Sequence, residues 1–125
     1  MTINSNDTKK SRTYYVTYPG NENHSYKIPG KKIIKTGIYN DLENPQDYVH
    51  KRYMKGSPLL ASGRVSKITF NKMYEIEQNV LYNLKKEWKS YMREHFIISE
   101  YEERKFVDHV KNLYDYFTNN RHLLT

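Results

Sequence analysis

The chain has no cysteine. That removes disulfides, thiolate metal sites and cysteine nucleophiles together and leaves packing as the source of stability. It has no run of about 18 apolar residues, and its first stretch, MTINSNDTKKSR, lacks an apolar core, so neither a membrane span nor a secretory signal is expected. The protein is expected to stay where it is made, in cytoplasm or nucleus, or in a virion. Catalytic signatures are missing too. No GxGxxG, HExxH, GxSxG or DxDxDG pattern occurs, and Gly30-Lys31 is no P-loop, because the upstream glycine is absent and Lys32 stands where Ser or Thr belongs. The five histidines, at 24, 50, 95, 109 and 122, have no ligand spacing. Glu100, Glu102 and Glu103 are explained as first-turn acids opposing a helix dipole. The expectation is therefore a protein without enzymatic activity, metal or cofactor.

An apolar share of 37% in 125 residues bounds the molecule to one domain with a modest core. Thirteen tyrosines carry most of the aromatic content. Tyrosine suits surfaces and interfaces, since it buries a ring while its hydroxyl stays polar. Two amphipathic helical patterns dominate the second half. In FNKMYEIEQNVLYNLKKEWKSYMREHF, residues Met73, Ile76, Val80, Leu84, Trp88, Tyr91 and His95 recur three or four apart and share one helical face. In SEYEERKFVDHVKNLYDYF, Phe106, Val110, Leu113 and Phe117 form the stripe, and Ser99 with Glu102 has capping-box spacing. A connection of about three residues joins the two as a hairpin.

Asn44, Pro45 and Asp47 open a shorter helix, Ser57-Pro58 opens another, and Gly56 and Gly63 end them. The expected fold is mainly α: a small bundle built on a long helical hairpin, with helices at about 45–55, 58–62, 70–95 and 100–118. Residues 44–125 form this helical domain, with Arg64 to Ile68 as a linker. Residues 1–43 form a basic, Tyr-rich extended arm, its first dozen residues disordered, in which TYYVTY and Ser25 to Ile28 are able to pair as a short β-hairpin. KKIIKTGIY reads either as an edge strand guarded by its lysines or as an extended basic finger along a phosphate backbone. The long helix outruns its partner, so either the short helices or a second copy covers its end. Tyr74, Leu81, Tyr82 and Met92 lie off its main stripe as an apolar patch suited to self-association.

Charge is one-sided along the chain. Residues 1–69 hold 12 Lys and Arg against 5 Asp and Glu, whereas residues 70–125 hold 9 of each. The net +7 therefore lies wholly before the helical hairpin. Lys9, Lys10, Arg12, Lys27, Lys31, Lys32, Lys35, Lys51, Arg52, Lys55, Arg64 and Lys67 are the candidate phosphate contacts, with Tyr14, Tyr15, Tyr18 and Tyr26 as candidate stacking platforms. The acidic first turn of the second helix is unlike a recognition helix, so binding by charge and shape is expected, with DNA favoured over RNA. A basic N-terminal arm followed by about 80 residues of compact helices resembles, in layout, the coat proteins of filamentous archaeal viruses. The resemblance implies arms and helices that wrap a genome, with bundles packed side by side, and it carries over no functional residue. The expected function is a sequence-independent nucleic-acid-binding structural protein, of nucleoprotein or viral coat type, that forms homo- or hetero-oligomers through its helices. The alternative is a small interaction module or inhibitor docking on an acidic protein.

Overall fold

The aromatic, β-branched run of the supposed arm is the centre of a sheet. In the computed structural model, which describes residues 8–19, 29–40, 43–53 and 57–124, Lys10–Thr17 form strand β1, flanked by β2 (Lys31–Asn40) and β3 (Leu59–Ile68). A hairpin of β4 (Lys89–Met92) and β5 (His95–Ser99) extends the sheet beyond β2. The order is β3-β1-β2-β5-β4, and every neighbouring pair is antiparallel. A mainly helical bundle is thus not what the chain adopts, and the arm-plus-bundle layout that suggested filamentous-virus coat proteins is absent from its described part.

β1 is buried on both faces, which explains why TYYVT does not alternate with polar residues. Tyr14 and Val16 point into one core; Tyr15 points into the other. Both tyrosines lie across glycines of the neighbouring strands. Tyr15 is paired with Gly37 of β2 and Tyr14 with Gly63 of β3, and a β-carbon at either glycine would collide with the ring. β2 is an interior strand bonded to β1 and β5, so neither the guarded edge nor the free finger describes it. The proposed return strand at Ser25 to Ile28 lies outside the described residues.

Three helices cover the sheet. α1 (Pro45–Arg52) starts where expected, with the Asn44 side chain accepting from Gln46 N at 2.9 Å and Pro45 in the first turn. It packs Val49, Tyr48 and Tyr53 against Tyr15, Tyr39 and Leu59 on the sheet's second face. The region read as a short helix at 58–62 and a linker is instead β3. α2 (Phe70–Glu87) and α3 (Glu103–Asn119) lie together on the first face. Met73, Ile76, Val80 and Leu84 of α2 meet Phe106, Val110 and Tyr114 of α3 over Ile34, Phe96 and Ile98 of the sheet.

The long helix ends eight residues earlier than its hydrophobic period suggests. Trp88 caps it in extended conformation, and the chain turns into β4 and β5 before α3 begins. The helices are therefore joined by a β-hairpin rather than a three-residue turn. The capping box of Ser99 and Glu102 is present, with Ser99 N donating to Glu102 Oε1 at 2.9 Å, although it starts a 3-10 turn (Glu100–Glu102) that leads into α3. Of the off-stripe residues, Leu81 is buried, while Tyr74, Tyr82 and Met92 are exposed. No helix among the described residues is long and apolar enough to cross a membrane.

Candidate nucleic-acid interface

The fold sorts the sequence's cations by face and depth. Lys9 and Lys10 are exposed where β1 begins. Beside them β3 bulges, its Ser66 and Lys67 facing the single Ser11, and Lys67 takes a left-handed φ of 53°. The bulge brings Lys67 beside Lys10, at the end of the molecule where α2 starts. Arg121, after α3, reaches the same bulge and donates to the Ser66 carbonyl at 3.4 Å. Arg64 is exposed on β3, and Lys31 is exposed at the opposite end of β2.

Several other candidates are structural. Arg12 is 1% exposed. Its guanidinium donates to the carbonyls of Ile68 at 3.3 Å and Thr8 at 2.7 Å and to the Asn40 side chain, and it lies over the Phe70 ring. Burial lowers its pKa, yet an arginine stays charged, so these bonds clamp three strands together rather than wait for a phosphate. Lys35 is buried, 3.4 Å from Glu94 and 4.9 Å from the centre of the Tyr53 ring. Lys32 lies over Tyr18, Lys51 pairs with Glu43 at 3.2 Å, and Arg52 is exposed over Tyr53. Lys27, Lys55 and Tyr26 lie outside the described residues.

The expected stacking platforms are mostly core. Tyr14 stacks on Tyr114 with ring centres 4.1 Å apart, and its phenol is pushed up to about 12 by burial and then by Asp115. The Tyr15 hydroxyl bonds that of Tyr53 inside the second core, and burial raises its pKa. Neither ring is within reach of a base. Tyr18 is half-buried, its hydroxyl donating to Glu103 at 2.6 Å.

Residues read as helix form an edge of the sheet, which the sequence did not suggest. Lys89, Tyr91, Met92 and Arg93 are exposed at the sheet's far edge. His95 is half-buried in β5, its pKa lowered by burial and by Lys35, so its ring is neutral at neutral pH. The signal for this hairpin was HFII, a short β-branched run after the last buried position of the helix.

One acid stands apart. Glu77 on α2 is 3% exposed and faces the sheet, and burial, then repulsion from Glu94, pushes its carboxyl up to about 7 against the pull of Lys35. On the neighbouring α3 the Tyr114 phenol is raised well above its ordinary value by burial and by Glu77. Among the described residues no three His, Asp or Glu converge as metal ligands. Compared with known proteins, the chain matches no family model, no curated protein and no solved structure.

Proposed function

We propose that the protein is a non-enzymatic nucleic-acid-binding structural protein that recognises charge and shape rather than sequence. One observation carries this reading. The five strands contain eight Lys and Arg and no Asp or Glu, whereas α2 and α3 contain six of each sign. The excess positive charge of these elements lies in the strands, and the layer of α2 and α3 is neutral. Lys10, Lys31, Arg64, Lys67 and Lys89 are the exposed strand cations. They neutralise phosphates and release counterions, which gives affinity without base readout. Such a protein acts where the nucleic acid is, in cytoplasm, nucleus or virion. Assembly through the outer surface of the helices belongs to the same reading, because Tyr74, Tyr82 and Tyr116 are exposed there.

The test is fluorescence anisotropy of labelled duplex DNA, single-stranded DNA and RNA over a range of salt. Contact with about five phosphates gives a slope of log affinity against log salt near −4 to −5 on duplex. Replacing Lys10, Arg64 and Lys67 with Glu should flatten it by about 3. Affinity that is weak and insensitive to these replacements for all three ligands overturns the reading. The second reading, docking on an acidic protein, is favoured by β3, whose outer edge pairs with no strand among the described residues. An acidic strand added there would be bound through backbone pairing as well as charge.

A further inference from the structure

The second face of the sheet is covered unevenly. α1 and Tyr53 pack on β1, β3 and the Lys35–Tyr39 end of β2, and among the described residues no helix packs to a comparable extent on the Ile33 end of β2 or on β5 and β4. Register places Ile33 of β2 opposite Ile97 of β5, and Ile97 opposite Lys89 of β4, all on this face. The isoleucines are half-buried and form an apolar floor. Lys31 and Lys89 are exposed at one end, and Arg93, in the β4–β5 turn, is exposed at the other. Tyr91 is 45% exposed at the irregularity between Ser90 and Met92, on the outer rim.

We propose that this ledge is a binding site for single-stranded nucleic acid, DNA or RNA, whose bases lie on the isoleucine floor and Tyr91 while its phosphates meet Lys31, Lys89 and Arg93. The inference rests on the nucleic-acid reading above and narrows it to one form of the ligand. Charge complementarity selects a polyanion: Glu94, the turn's own carboxylate, is held by Lys35, and Glu100 stands beyond the floor next to Gly30. The apolar floor then selects the single strand. A duplex keeps its base faces stacked inside and presents phosphate and sugar, which would leave the isoleucines uncovered. An extended strand brings base faces and phosphates to the surface together, and each base stacked on an aromatic ring adds affinity with little regard to its identity.

The experiment uses the full chain with short oligo(dT), oligo(rU) and a hairpin duplex at one salt concentration, followed by anisotropy and by amide NMR shifts. Single strands should bind about tenfold or more tighter than duplex, with shifts concentrated in 31–35, 89–93 and 95–99. Tyr91→Ala and Lys89→Glu should each weaken oligo(dT) binding about fivefold or more and change duplex binding by less than about twofold. A preference of oligo(dT) over oligo(rU), or the reverse, identifies which nucleic acid the ledge takes. Equal affinity for duplex, or shifts confined to Lys10, Arg64 and Lys67, overturns the inference and leaves nucleic-acid binding standing. Salt-insensitive, weak binding of every ligand overturns both. The NMR measurement on the unsubstituted protein decides the matter even if a variant fails to fold.

Discussion

At the scale of single residues, the two tyrosine-over-glycine pairs set the tightest constraints. Gly37→Ala and Gly63→Ala each drive a methyl group into a buried ring, and each should cost about 1–3 kcal/mol in urea melts, as overpacking does. Glu77 makes a pH prediction. Its folded pKa, about 7, lies above the usual carboxylate range, so the folded state holds this proton more firmly than the unfolded chain. The associated stability is complete below the unfolded value near 4.5 and is lost as pH rises toward about 7. Glu77→Gln should remove that decline, and the melting temperature of the variant should exceed that of the unsubstituted protein at pH about 8 while differing less at pH about 5. None of this was legible in the sequence. Arg12, Tyr14 and Tyr15 have the letters of surface binders, and what buries them comes from Asn40 and Ile68, Tyr114, and Tyr53, which are distant in the chain.

At the scale of elements, some local start signals survived, whereas Ser57-Pro58, read as a helix start, leads into β3. The caps at Asn44 and Ser99 lie where Pro45 and the Ser–Glu spacing placed them, and Thr69 caps α2. Thr69→Ala frees the amide of Lys72, now 3.1 Å from the threonine hydroxyl, and should lower stability by about 0.5–2 kcal/mol. Val110 is fully buried and Leu113 half-buried, so Val110→Ala should cost about 1–4 kcal/mol and Leu113→Ala less for its size, both read as shifts in denaturation midpoint. The misread elements are those whose pattern fits two periods. Tyr91 and His95 continue the helical spacing of α2, yet Tyr91 is exposed at an edge and His95 starts a strand. A short apolar run has no internal preference strong enough to choose. Here pairing of Ile97 with Ile33 goes with the strand.

At the scale of the whole molecule, the most consequential correction concerns residues 1–43. Read as a basic, Tyr-rich extended arm, they supply β1 and β2, the two strands on which β3 and the β4–β5 hairpin are laid. A fragment of residues 44–125 loses β1 and β2, and with them Tyr14, Val16 and Ile34 from the surface against which α2 and α3 bury their apolar faces. It should show no cooperative thermal transition by circular dichroism, whereas an arm-and-body protein would have kept one. For the same reason, loss of nucleic-acid binding in that fragment would report unfolding rather than a lost contact, so point replacements of exposed strand cations are the sound test.

The sequence by itself determined the start of α1, the apolar faces of α2 and α3, and the confinement of excess positive charge to residues 1–69, because capping, helical periodicity and charge are local properties of the chain. Only the tertiary structure decided that TYYVT lies at the centre of a sheet, and that Arg12 and Lys35 are buried while Lys10, Lys67 and Lys89 face solvent. A strand's hydrogen bonds and both its faces are completed by partners distant in sequence, so its place in a sheet is a property of the assembled fold.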